Sequence, residues 1–231
     1  KYFIKTIYLV LLIATILSTN FKSFAKDISF KYSQDDISNY FSGIVSLSQN
    51  DPTGSFNYLS KIQSLKKKHS NYSTQFIRSL VLLEKFDDAF TFSKEVWNED
   101  EIFFEVDLLL GLQSYLQQDY KNAKKYFKRL NKISRNNVLF GDFFGNILLS
   151  WTEATENNKE ASFEFLDEVP QRFTNLKLIQ NSFLHCYFDI PKIEISFEKI
   201  IKKKDYNFSR YNFFLANYLI SKKENLAAEI L

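Results

Sequence analysis

Methionine is absent from the 231 residues, cysteine occurs once, histidine twice, proline three times and glycine five times. Each scarcity closes off a class of answer. A single thiol, Cys186, cannot form an intrachain disulfide, so no disulfide framework holds the fold. Its neighbours Phe183, Leu184, Tyr187 and Phe188 mark it as a buried reduced thiol, with an intermolecular bond in an oxidising compartment as the rival reading. So few glycines and prolines cannot supply the many tight turns of a sandwich or barrel, and helices joined by short polar connections are expected instead. His69 and His185 lie far apart, and the His185-Cys186 pair has no second pair of ligands at zinc-site spacing. No glycine-rich phosphate loop, nucleophile elbow or His-Glu-x-x-His segment occurs. The acidic run Glu99-Asp100-Glu101 precedes an apolar stretch and reads as a capped and dipole-matched helix start. The expectation is therefore no catalysis, no cofactor and no metal. Beginning at Lys1 and stopping at Leu231 inside an apolar helical pattern, the chain is also expected to lack its initiating residue and to be truncated at the C-terminus.

What the chain does hold is core-forming material: 45% hydrophobic residues, with 25 Phe and 13 Tyr. Disorder is not expected outside the ends. Richness in Phe, Ile, Lys, Asn and Tyr also fits AT-rich coding, so the aromatic excess carries no functional message by itself.

Residues 1–25 have the parts of a secretory signal. Lys1 and Lys5 form a basic beginning, Ile7 to Leu17 is an apolar run, and Ser23-Phe24-Ala25 offers small residues for cleavage after Ala25. The run is short for a membrane span, which takes about 20 apolar residues. Lys22 keeps an uncleaved anchor open as the alternative. Either outcome places the remainder outside the cytoplasm, in a bacterium the periplasm, with the membrane reached only through an uncleaved N-terminal segment. Residues 1–25 carry three lysines and no acid, so removing them takes the formal net charge from +3 to zero. A neutral domain is a poor partner for nucleic acid, whose binding rests on phosphate neutralisation. The runs Lys66-Lys67-Lys68 and Lys202-Lys203-Lys204 each follow an apolar periodic segment and read as solvated helix ends. Residues 26–34 read as a linker and 35–231 as the helical region.

Within that region one stretch, Leu110 to Leu130, reads LGLQSYLQQDYKNAKKYFKRL. A helical pattern meets a polar break at Gln117-Gln118-Asp119, and a second follows with Tyr120, Ala123, Phe127 and Leu130 on one face. Steps of 34 from Gly111 land on Ile77 and Gly43 in one direction and on Gly145 in the other. Twelve residues after the lattice points come Ser55, Ala89 and Ala123; sixteen after come Leu59, Ser93 and Phe127. Small residues recurring where two helices would cross closely are the mark of stacked units of one kind. Asp51-Pro52 reads as an N-cap followed by Pro at the first helical position. After Gly145 the lattice slips by four residues, to Ala161 and Phe165. Weaker units follow, with Ile193, Phe197 and Ile200, a turn near Asp189-Ile190-Pro191, and a last helix from Tyr211 to Ile220.

Leu110-Gly111 in the first helix with Tyr120, Ala123 and Phe127 in the second resembles a tetratricopeptide repeat. The copies lack that family's Trp at the front of the first helix and its Pro at the close. The resemblance implies an all-α, right-handed solenoid of antiparallel helix hairpins, about five to six repeats, with Gly43, Gly111, Gly145, Ala89, Ala123 and Phe127 as packing positions. It also implies a concave face built from the first helices. Positions equivalent to the family's groove are Ile37, Tyr40, Ile44 and Leu47; then Asn71, Thr74, Arg78, Val81 and Leu82; then Glu105, Leu108, Leu112, Tyr115 and Leu116. Tyr40 and Ile44 stand where the family's carboxylate-clamp residues would be, so an acidic-tail clamp is not expected. Two readings of these positions stay open. They form an apolar groove for an amphipathic helix or an extended hydrophobic peptide, or they pack against a neighbouring helix. The chain resembles the exported repeat proteins of Gram-negative bacteria that serve envelope assembly, cell-wall or secretion machinery. That resemblance implies a non-catalytic periplasmic scaffold binding another protein or peptide. The alternatives are a helical accessory domain of a larger envelope enzyme and a membrane-tethered complex subunit.

Overall fold

The structure is a computed structural model, and it describes residues 32–132, 143–191, 193–201 and 209–223. The export segment 1–25, the greater part of the 26–34 linker, the Lys202-Lys203-Lys204 run and the last apolar stretch lie outside the described residues. The regular structure is all-α. Eleven α-helices occur among the described residues: α1 Gln34–Ser48, α2 Pro52–Leu59, α3 Ser70–Leu82, α4 Phe86–Val96, α5 Phe104–Leu116, α6 Tyr120–Leu130, α7 Phe143–Thr155, α8 Lys159–Asp167, α9 Thr174–Tyr187, α10 Ile193–Ile201 and α11 Ser209–Ser221. Short 3-10 segments at Ser60–Leu65 and Gln171–Phe173 extend α2 and precede α9. No strand is found among the described residues. No helix there is long and apolar enough to cross a membrane.

The chain divides into two compact units, Lys1–Ile37 and Ser38–Leu231. In the described part of the first, Ser33 and Asp36 exchange hydrogen bonds: Asp36 N–H donates to Ser33 Oγ at 3.0 Å, and Ser33 N–H to Asp36 Oδ2 at 3.2 Å. This reciprocal pair heads α1, which starts at Gln34, one residue ahead of the expected boundary.

In the second unit, every odd-numbered helix ends in the same way. Asn50, Glu84, Gln118, Asn157, Asp189 and Lys223 all adopt left-handed backbone, with φ between 49° and 66°. They lie 34, 34, 39, 32 and 34 residues apart. At each of the first five, two backbone bonds close the helix: Gln118 N–H donates to Tyr115 O, for example, and Asp119 N–H to Ser114 O. The same pair recurs at Asn50 and Asp51, Glu84 and Lys85, Asn157 and Asn158, and Asp189 and Ile190. These are Schellman caps, which turn the chain sharply while satisfying the last carbonyls. None of the six positions is glycine. The next helix then starts on a capping side chain in three of the four cases whose cap residue is described. Asp51 Oδ1 accepts from Gly54 N–H at 2.8 Å, Asp119 Oδ1 from Asn122 N–H at 3.2 Å, and Asn158 caps α8 through Ala161 N–H. The reading of Asp51-Pro52 as a helix start holds. From α2 onward, consecutive helices pack on one another, and α9 also touches α7.

This cap spacing corrects the register after Leu130. The third interval is 39 residues, so the insertion relative to 34 is five rather than four. Counting back seven from the left-handed residues gives Gly43, Ile77, Gly111, Ser150, Ser182 and Ala216, so the fourth lattice point is Ser150 and not Gly145. Counting forward five from the first four gives Ser55, Ala89, Ala123 and Ser162, all fully buried. Ala161 and Phe165, expected at that crossing, are only half-buried, and Ser162 and Leu166 take those places. Ser150 Oγ donates to the Ser162 carbonyl at 2.8 Å, a contact that a methyl group could not make.

The described glycines act by close approach, since none of them has positive φ. A Cβ on Gly43 would lie 2.6 Å from Leu59 Cγ, and one on Gly111 2.6 Å from Phe127 Cδ1. Both partners lie sixteen residues on, so one column must be small where the other is large. At the second lattice point the sizes are exchanged, with Ile77 there and Ser93 sixteen residues on. Gly145 serves a different contact: its Cβ would fall 2.8 Å from the Phe127 carbonyl oxygen, where α7 crosses α6. The core continues through four clusters, from Leu59, Tyr72 and Phe76 at one end to Phe197, Leu215 and Leu219 at the other.

Candidate functional site: an apolar cleft between α3 and α5

A cleft of about 790 Å³ opens between α3 and α5. Arg78, Val81 and Leu82 on α3 form one wall, and Glu105, Leu108, Leu112, Tyr115 and Leu116 on α5 form the other. Ile77 and Leu109, both buried, lie deeper, and Phe86 and Phe90 enter from the first turns of α4. The rim is unusually apolar: Leu116 is 74% exposed, Leu82 54% and Phe86 48%. Large apolar groups that stay in water rather than fold onto a neighbour mark an interaction surface when they are contiguous.

Polar groups at the cleft are few and divided. Tyr115 OH is engaged with Thr155 Oγ1 at 2.6 Å, so it serves the junction of α5 with α7. Leu108, Leu112 and Tyr115 pack against the cluster around Phe127 and Leu149, together with Phe144 and Leu148. These α5 residues thus combine both expected roles, packing against α7 and lining the cleft. Arg78, exposed, and Glu105, half-buried, form no ion pair or hydrogen bond among the described residues.

Of the positions expected on a concave face, the structure brings together Arg78, Val81, Leu82, Glu105, Leu108, Leu112, Tyr115 and Leu116. Tyr40 and Ile44 do not join them. The Tyr40 hydroxyl accepts from Asn71 Nδ2 at 2.6 Å and its ring stands edge-on to His69 at 5.0 Å, which ties α1 to the start of α3. Ile44 is half-buried on α1, and Leu47 is buried. Sequence reasoning missed Phe86 and Phe90 because it searched first helices alone. Phe90 carried a signal, since it follows Ala89 directly and so points away from the helix-crossing face, whereas Phe86, three residues before Ala89, did not.

The wall on α5 is held by a buried polar network that the sequence did not reveal. Arg129 on α6 donates from Nε to Asp107 Oδ1 at 2.7 Å, and from its two Nη groups to the carbonyls of Asn98, Glu99 and Glu101 at 2.6–2.9 Å. Trp97 Nε1 donates to the same Asp107 oxygen at 3.1 Å, and the guanidinium lies 5.2 Å over the Trp97 ring. Glu99, Asp100 and Glu101 are therefore the connector that Arg129 grips by its backbone. They are not the cap expected of α5, which has Phe103 at that place and no side-chain cap.

The two histidines, the Cys186 thiol and the Tyr72 phenol sit in structural surroundings. His69 is the N-cap of α3, its Nδ1 accepting from Tyr72 N–H at 3.1 Å. His185 Nδ1 is 2.7 Å from the Asn181 carbonyl oxygen and its ring meets Phe163. Burial, with help from the Asp189 carboxylate, pushes the half-buried Cys186 thiol up to about 12, which keeps it protonated and unreactive at neutral pH. Burial likewise raises the Tyr72 phenol, whose hydroxyl donates to Leu59 O at 3.0 Å. Among the described residues, no three His, Cys, Asp or Glu side chains are grouped to hold a metal ion.

No protein family, curated protein or solved structure matches this chain.

Proposed function

We propose that this chain is a non-catalytic, tetratricopeptide-like scaffold that holds a segment of a partner protein in the cleft between α3 and α5. The single observation carrying this reading is that cleft, lined by Leu, Ile, Val and Phe apart from Arg78, Glu105 and Tyr115, largely on positions that the tetratricopeptide resemblance assigns to the groove. The recurrent Schellman caps and the column of fully buried small residues support a right-handed solenoid of antiparallel hairpins. Short connections of this kind return each helix alongside its predecessor. The proposed setting is the bacterial periplasm, and it rests on the signal-like residues 1–25.

The test compares crosslinked complexes purified with the wild-type chain and with a Leu82→Asp plus Leu116→Asp chain. Both positions are exposed, so the fold survives and a circular-dichroism melt verifies it. Loss of the major crosslinked partner from the double variant is the expected result. Recovery of the same partners in equal amounts overturns the reading.

A further inference from the structure

The composition of the cleft wall points to the conformation of its occupant. An extended peptide leaves its backbone N–H and C=O groups facing the surface that binds it, and each one buried without a partner is costly. Extended ligands are therefore held by sheet edges or by rows of polar side chains. Here the lining is Leu, Ile, Val and Phe apart from Arg78 and Glu105, one on each wall, and the hydroxyl of Tyr115, which already bonds Thr155; two isolated side chains do not make the row of partners that an extended backbone needs. A helix satisfies its own backbone bonds and asks the cleft only for apolar contact. Exposure of Leu82, Phe86 and Leu116 at the rim adds that the occupant keeps one face in water, which an enclosed acyl chain would not do.

Resting on the function proposed above, we infer that the cleft takes an amphipathic α-helix of about three turns, with a carboxylate placed to meet Arg78 and a cation placed to meet Glu105. The α5 wall from Glu105 to Leu116 rises about 17 Å at 1.5 Å per residue, the length of roughly twelve helical residues. Arg78 and Glu105 both line the cleft without an ion pair of their own, and unsatisfied opposite charges at a groove set the register and direction of what enters it.

The experiment uses the full chain and a fluorescein-labelled peptide of about twelve residues, stapled into a helix. Leucines form one stripe, and single Glu and Lys residues flank it. Fluorescence anisotropy is expected to show saturable binding, at least about tenfold weaker for a peptide of the same composition broken by two central prolines. Exchanging the peptide's Glu and Lys is expected to weaken binding several-fold, and Arg78→Glu plus Glu105→Arg to restore it. Equal binding of the proline peptide overturns the helical occupant, and displacement of the helix by dodecanoate assigns the cleft to acyl chains instead. A dimer in sedimentation that Leu116→Asp dissolves assigns it to a second copy, and likewise overturns the inference. If neither peptide binds while Leu82 and Leu116 are still needed to recover a crosslinked partner, the helical occupant falls and the protein-binding reading stands. If those positions prove dispensable as well, both fall.

Discussion

Replacing Arg129 with Met keeps an unbranched side chain of similar reach and removes the guanidinium. Four hydrogen bonds go with it, one to the Asp107 carboxylate and three to the carbonyls of Asn98, Glu99 and Glu101. Asp107 is fully buried and would keep only the Trp97 indole and a long 3.4 Å contact from Phe103 N–H. Stranding one partner of a buried ion pair costs about 3–5 kcal/mol, a large part of the roughly 5–15 kcal/mol that holds an ordinary domain folded. Adding Asp107→Asn removes the stranded charge, so the double variant should recover about 2 kcal/mol of that loss. Urea unfolding followed by circular dichroism measures all three chains, and Trp97 emission reports the network locally. The connector between α4 and α5 would loosen too, so the helical probe should bind Arg129→Met more weakly at temperatures where the chain is still folded. An Arg129→Met cost below about 1 kcal/mol, or single-variant losses that add without coupling, would refute the claim that this pair holds the α5 wall.

Three further outcomes follow from the caps and crossings. Gln118 has φ 61°, so Gln118→Gly relieves about 1–2 kcal/mol of left-handed strain against roughly 0.5–1 kcal/mol of added chain entropy. A melting temperature raised by a few degrees is expected, and a lowered one would contradict the cap. Gly111→Ala forces its methyl onto the Phe127 ring and should cost about 1–3 kcal/mol, partly relieved by Phe127→Leu; a neutral result would remove Gly111 from the crossing. Hydrogen bonds from the Asn122 side chain and backbone hold the Asp119 carboxyl below its ordinary 3.8. Because the folded value is the lower one, this contribution is complete above pH 3.8 and is lost as pH falls through the folded value. Asp119→Asn keeps the capping oxygen without the charge, so its melting temperature should vary less with pH below about 4 than the wild type's.

The first three units were legible because their signals are local. Gly43 and Gly111 stand sixteen residues before the side chains they admit, and Ser55, Ala89 and Ala123 keep one spacing. Beyond Leu130 the same architecture persists on different residues. A five-residue insertion moves the fourth lattice point to Ser150, and a hydroxyl there bonds the backbone at Ser162. Gly145 drew the eye because glycine is rare, yet it serves the α6–α7 contact. The six left-handed turn residues are Asn, Glu, Gln, Asn, Asp and Lys, so no glycine announced them. Two of the three walls of the cleft were legible as first-helix faces, through Leu108, Leu112, Leu116 and Arg78. The third, Phe86 and Phe90, was not, because a second helix offers the same apolar spacing whether it packs inward or stays open. Tyr40 was misassigned for a related reason: one aromatic on a helix face does not reveal that Asn71 and His69 will claim it. The Asp107–Arg129 pair spans 22 residues and two helices, a separation over which residue spacing carries no information.

The proposed function places the meeting with a partner in the α3–α5 cleft. Photo-crosslinking amino acids placed singly at Leu82, Leu112 and Leu116, and at the exposed outer positions Lys121 and Lys128, test it most directly in cells of the source organism. The account predicts one protein crosslinked from all three cleft positions, through a peptide of helical amphipathic pattern, and none from the outer pair. The same product from Lys121 or Lys128, or no product from any cleft position, would contradict it.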